Sequence, residues 1–134
     1  ITGHAGLFGT ASGVLKICQE LLDAMNGKKS DLPISAQTLK RACSRVAGSE
    51  WTAGFNMPSK YGSSSGTYFS EKSVGHLGFT GTSFWIDPVK QRAVVLLTNR
   101  VIKGENLAGI KELRPQIHNY IIEQLRLDKK VPSY

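Results

Sequence analysis

Serines, histidines and closely spaced glycines are the residues of this 134-residue chain whose types and spacing could do chemistry. Gly62-Ser63-Ser64-Ser65-Gly66 fits the pattern G-x-S-x-G literally. A nucleophile elbow needs an apolar strand before the serine and a helix after it, and neither pattern is present, so the match reads as a serine-rich loop. His4, His76 and His118 lie far apart, with no cysteine or carboxylate at ligand spacing, so no metal site is expected. His118 falls on a helical pattern and reads as a surface or boundary histidine. Gly6–Gly9 and Gly78–Gly81 could each cradle an anion on backbone N–H groups, but neither carries the Gly-Lys-Ser/Thr that makes a phosphate loop specific.

The elements that must position these residues centre on Val74 to Asn99, which reads as two strands joined by a turn. The first run, His76 to Ile86, interleaves Gly78 and Gly81 with aromatic and β-branched residues. Such residues favour an extended, half-buried backbone, and the glycines mark close approach. Asp87-Pro88 stops that strand. The second run, Ala93 to Thr98, is apolar at consecutive positions, the pattern of a strand covered on both faces.

Before this hairpin, Thr10 or Ser12 can cap a helix in which Val14, Leu15, Ile17, Cys18, Leu21, Leu22 and Met25 recur at helical spacing, with Asn26-Gly27 as its stop. Ser35 caps a shorter helix with Leu39, Ala42, Cys43 and Val46 on one face, ended by Gly48. Trp51 to Met57 reads as a short strand closed by Pro58. Ser59 to Ser73 changes to Ser, Gly, Lys and Tyr, a long loop or a lid. After the hairpin a helix is expected over Leu113 to Leu127, with Pro115 near its first turn and Ile117, Ile121 and Leu125 on one face. Asp128 to Tyr134 reads as a frayed tail.

One domain's length and 40% hydrophobic residues suffice for a core. Seventeen Lys+Arg against ten Asp+Glu give a formal charge of +7, scattered rather than striped. With no recognition helix, zinc finger or RNA-binding aromatic motif, this reads as a solvated basic surface and not as a nucleic-acid site. Cys18 and Cys43 fall on apolar helical positions and read as small core residues that decide no compartment. No apolar run is long enough to span a membrane, and no export leader is visible. The start at Ile1, running directly into a glycine-rich phrase, suggests part of a longer protein.

Three phrases carry a family resemblance: GHAGLFGTA (Gly3 to Ala11), GHLGFTGTSFWIDP (Gly75 to Pro88) and VVLLTNR (Val94 to Arg100). Together they resemble the C-terminal part of the serine beta-lactamase and penicillin-binding-protein superfamily, nearest to the branch of class C beta-lactamases, DD-peptidases and beta-lactamase-like esterases. The resemblance is strong in the hairpin and weakest in the Ser59–Ser73 loop. That family uses a Ser-x-x-Lys, a Tyr-x-Asn or similar, and a Lys-Thr-Gly on a strand that lines the cleft; some members carry His for the Lys. His76-Leu77-Gly78 stands at the third motif.

The resemblance implies that His76 supplies charge or a hydrogen bond near the nucleophile and the substrate carboxylate. It implies that Gly78 lets the substrate approach, and that the Phe79 N–H is one of two oxyanion-hole donors. A strand N–H aimed at the developing oxyanion is worth on the order of 10²–10³ in rate. Leu77 replaces a hydroxyl residue that often helps hold the substrate carboxylate, with Thr80 or Thr82 as the available compensation, and this tilts the reading from penicillin or D-Ala-D-Ala toward an ester or amide. As a cation in lysine's place, a histidine would lose its charge as pH rises through neutrality.

No serine has a lysine three residues on, and no Tyr-x-Asn occurs. The expectation is therefore a C-terminal segment (1–134) of a serine hydrolase domain whose N-terminal part carries the nucleophile, inactive alone, needing no cofactor or metal. A beta-lactam, ester or D-amino-acid peptide would be its substrate. The alternative is a non-catalytic beta-lactamase-like binding or scaffold domain. The family suggests a periplasmic or otherwise extracytoplasmic setting, with a cytoplasmic one open. The expected fold is α/β (α+β): an antiparallel sheet of about three strands, around Trp51, His76 and Ala93, with helices packed on it, part of a beta-lactamase-like (transpeptidase) fold. Such a segment would expose a sheet edge and an apolar face that a homodimer could cover.

Overall fold

A computed structural model describes residues 6–103 and 107–128. The first helix, α1 (Ala11–Met25), begins where Thr10 accepts the Gly13 N–H at 3.1 Å and ends at Asn26, followed by Gly27 with φ +73°. A side-chain oxygen at the start and a left-handed glycine after the end take up the groups that a helix leaves open. The second, α2 (Ala36–Cys43), starts under a Ser35 cap. Cys18, Leu21 and Leu22 of α1 meet Leu39 of α2, with Cys43 packed alongside, as the helical spacing predicts, whereas Leu15, Ile17 and Val46, expected on the same apolar faces, are exposed.

Three strands form the sheet: β1 (Val74–Leu77), β2 (Ser83–Asp87) and β3 (Arg92–Leu96), antiparallel in the order β1-β2-β3. The His76–Ile86 run is thus two strands and not one. Gly78-Phe79-Thr80-Gly81 turns the chain, with the Gly81 N–H donating to the Gly78 carbonyl at 3.1 Å and Gly81 at φ +97°. Trp51–Met57 forms isolated bridges instead of a strand: Thr52 with Arg45, Trp51 with Asn56, and Asn56 with Gly75. The strands expected around His76 and Ala93 are thus β1 and β3, while the third strand of the sheet is β2 and not the one expected around Trp51.

Alternation along β2 sends Ile86 toward α1 and α2, and Trp85 toward the other face, where Phe69, Val94 and Ile122 pack on it. Burying side chains of this size contributes about 1.5–3 kcal/mol each. β3 is covered on both faces, Ala93 and Val95 on one and Val94 on the other. The most buried strand is nevertheless the central β2, because β3 has a neighbour on one side only.

The last helix, α3 (Leu107–Asp128), starts six residues before the expected Leu113 and runs through Pro115. Its buried face is Ile110, Arg114, His118 and Ile122, spaced four apart, while Leu125 is exposed. His118, expected at the surface, is fully buried. The long loop from Ser59 to Ser73 is packed down rather than free as a lid. The Asn119 side chain of α3 accepts the Thr67 N–H at 2.8 Å, the Tyr68 hydroxyl donates to Glu123 at 2.9 Å, and Asp87 accepts from the Ser70 N–H and hydroxyl at 2.9 and 2.7 Å. His4, the first residues of the opening phrase and the expected tail from 129 to 134 lie outside the described residues.

Candidate active-site turn

All five residues singled out by sequence fall on one short piece of chain, the end of β1 and the turn that follows. His76 is exposed, on the sheet face it shares with Val74. Leu77 points to the opposite face, partly buried beside Trp85, and with Met57, Asn56, Ser63 and Ser64 it lines a cavity of about 180 Å³. A larger groove of about 830 Å³ lies between the end of α1, α2 and the β2–β3 turn, and none of the five residues lines it.

The free edge of β1 has a defined polarity. The Gly75 N–H and carbonyl exchange hydrogen bonds of 3.0 and 2.8 Å with Asn56, on the side away from β2. Backbone groups alternate along an antiparallel strand, so those of Leu77 face the same edge two residues on, beyond the Asn56 bridge. Next, the Gly78 N–H donates inward to the Thr82 carbonyl at 2.8 Å, and the Phe79 N–H finds no acceptor among the described residues. Gly78 is needed there for space, since a Cβ would sit 2.0 Å from the Thr82 hydroxyl oxygen.

Every carbonyl of the turn is held. Arg114 Nη2 donates to Gly78 at 2.8 Å and to Thr82 at 3.1 Å, and its Nε donates to Gly81 at 2.9 Å. Arg100 Nε donates to the Phe79 carbonyl at 2.5 Å, with its guanidinium 4.6 Å from the Phe79 ring centroid. The Thr80 carbonyl accepts from the Arg100 N–H and the Thr98 hydroxyl, each at 3.0 Å. Thr80 therefore holds the turn through its backbone. One helical turn past Arg114, His118 Nε2 lies 3.0 Å from the Ser83 hydroxyl at the start of β2, and no partner reaches Nδ1 among the described residues. Burial, with the Arg114 charge adding to it, pushes the His118 imidazole down to about 4, so it is neutral at physiological pH.

Sequence reasoning missed Arg114, Arg100, Thr98 and His118. The signal for Arg114 and His118 was the four-residue spacing Ile110-Arg114-His118-Ile122, which puts two basic residues on a buried helical face, while Thr98 and Arg100 lie in the VVLLTNR phrase, whose family resemblance gave them no role. Gly62–Gly66 is a loop in which the Ser63 and Ser65 hydroxyls lie 2.7 Å apart, with no strand before it and no helix after it. Among the described residues no helix is long and apolar enough to cross a membrane.

The beta-lactamase family model matches residues 1–117. A protein named "Putative D-alanyl-D-alanine carboxypeptidase" from Escherichia coli O157:H7 is 32% identical over 107 residues, covering 75% of this chain and 24% of the relative. Proteins of the same name from Escherichia coli K12 and Salmonella agona are 30% and 33% identical over 107 and 104 residues, with the same coverage. The chain thus spans about a quarter of these relatives' length, the 24% that the alignments cover. No solved structure matches it at comparable significance. With the glycine-rich turn after β1, the α+β framework and a match over most of its length, the chain belongs to the beta-lactamase family.

Proposed function

We propose that residues 1–134 form one wall of the cleft of a serine hydrolase that works through an acyl-enzyme. In this reading the Phe79 N–H donates to the oxyanion, Gly78 leaves room for the substrate, and His76 supplies a polar or cationic group at the rim. Leu77 and Thr80 border the substrate. The nucleophile and general base come from outside these residues, and the segment alone does not turn over. The observation that carries the reading is the outward edge of β1 past the Asn56 bridge, where the backbone of Leu77 and the N–H of Phe79 face out from a turn whose carbonyls are all held. A rigid, unoccupied N–H beside a strand edge is the arrangement that stabilises a tetrahedral oxyanion.

The relatives' name points to D-alanyl peptides. Leu77 in place of a hydroxyl, beside a cavity to which no Lys or Arg contributes, favours a substrate whose group at that position carries no negative charge, hence an ester or amide. The test is acylation of the intact protein by a fluorophosphonate probe, followed by turnover of a p-nitrophenyl ester, a chromogenic cephalosporin and a D-Ala-D-Ala peptide. Labelling of a serine with ester turnover fastest is the expected result. No covalent adduct with any probe would leave the β1 edge as a binding surface and end the catalytic reading.

A further inference from the structure

We propose that Arg114 is the positioning residue of this site: it fixes and polarises the peptide unit whose N–H belongs to Phe79. The inference rests on the reading that this N–H meets the reacting carbonyl. A peptide bond is planar and trans, so the carbonyl of Gly78 and the N–H of Phe79 are two ends of one rigid unit pointing in opposite directions. Arg114 Nη2 holds the carbonyl end at 2.8 Å from the α3 side. The N–H end therefore points away from α3, toward the open side of the turn.

Holding one end also strengthens the other. A hydrogen bond from a cation draws electron density toward the carbonyl oxygen, and bonds in a chain polarise one another, so the N–H becomes a better donor. Arg114 is well placed to do this because it is buried and, among the described residues, pairs with no carboxylate. Its charge is met by the three carbonyls of Gly78, Gly81 and Thr82. Flipping the Gly78–Phe79 peptide would remove one of the three and leave a buried cation short of a partner, a costly state. The planar fork of arginine can reach several acceptors from fixed positions, which a lysine ammonium on its flexible stem cannot. Arg114 itself cannot drift, because His118 on the same helix face is bonded to Ser83, the residue that follows the turn.

The experiment compares the intact wild-type protein with Arg114→Met and Arg114→Lys. An oxyanion bond forms in the transition state, so weakening its donor lowers kcat and leaves KM nearly unchanged. With a p-nitrophenyl ester, Arg114→Met should lose about 10- to 100-fold in kcat with KM within about threefold, and Arg114→Lys should fall between. In parallel, protein labelled with ¹⁵N-phenylalanine reports the amide of Phe79 independently of activity. That proton should move upfield in Arg114→Met while the Phe84 amide in β2 holds its position. Wild-type kcat in a folded Arg114→Met, a loss in KM alone, or an unmoved Phe79 amide would each overturn the proposal. If Arg114→Met does not fold, Arg114→Lys decides: intermediate kcat supports the proposal and wild-type values sink it. If wild type itself forms no acyl adduct, the hydrolase reading fails, and the amide shift still decides whether Arg114 holds the peptide.

Discussion

Acid should loosen this structure through His118. The imidazole is fully buried between Ser83 and the Phe69 ring, whose centroid is 6.1 Å away, and Arg114 is the charge acting on it. Its value falls from an ordinary 6.5 to about 4 on folding. Between those two values the unfolded chain binds a proton that the folded chain refuses, so stability is fully present above pH ~6.5 and declines as pH drops toward ~4. A difference of about 2.5 units at 1.36 kcal/mol each corresponds to about 3 kcal/mol over the whole window, most of it lost by pH ~4.5. Guanidinium unfolding of the intact protein at pH 7.5 and 4.5, for wild type and His118→Gln, isolates the effect from every other titrating group. The wild-type advantage at pH 7.5 should shrink by about 2–3 kcal/mol at pH 4.5. A gap that stays constant with pH, or an imidazole NMR titration of His118 midway near 6.5, would refute the reasoning.

Other expected outcomes follow from the same framework. Gly81→Ala should destabilise by about 2 kcal/mol or more, seen as a fall in the unfolding midpoint, because φ is +97° and the new Cβ would lie 2.4 Å from the Thr98 hydroxyl oxygen. Adding Thr98→Ala should not restore the midpoint, since the backbone strain and the Ile110 atoms at 3.0 and 3.1 Å remain and the Thr98–Thr80 hydrogen bond is lost. Asp87→Asn should cost on the order of 2 kcal/mol in thermal unfolding. Burial raises the Asp87 carboxyl, but the Ser70 and Lys90 hydrogen bonds and Arg92 outweigh it and hold it below the usual carboxylate value. Its contribution is therefore present above that ordinary value and lost as pH falls through the depressed one. Burial pushes the Cys18 and Cys43 thiols up to about 11, so both stay protonated at pH 8. Mass spectrometry should find them unalkylated by iodoacetamide in the native protein and fully alkylated in denaturant.

The parts of the fold readable in advance were those governed by local chemistry. Thr10 and Asn26-Gly27 marked both ends of α1, and Ser35 the start of α2, because capping is decided within one helical turn. The second helix stops at Cys43 rather than at the expected Gly48: Ser44 turns extended and Val46 is left exposed. The motif at His76–Gly78 drew attention to the right piece of chain, yet Gly78 to Thr82 was read as continuous strand. Its aromatic and β-branched residues outweighed the signal of two glycines three apart, which is turn spacing. α3 was misread for a different reason. Pro115 suggested a helix start, whereas the helix runs through it and turns Arg114 and His118 inward. Buried basic residues are legible only once the carbonyls and hydroxyl they meet are known, and these lie more than thirty residues earlier.

The distance along the chain between the turn and the residues that clamp it also sets an order of assembly. Residues 78 to 83 leave the ribosome well before Arg114 and His118, and the bonds between them close loops of 32 to 36 residues. Long loops pay their entropy before the contact rewards it, so the turn should remain loose until α3 docks. A nascent chain stalled short of Leu107 would have the residues of its strands but not the Arg114 and His118 side chains that hold the turn and the start of β2. The geometry of the turn is thereby tied to the docking of α3, an element encoded more than thirty residues further along the chain.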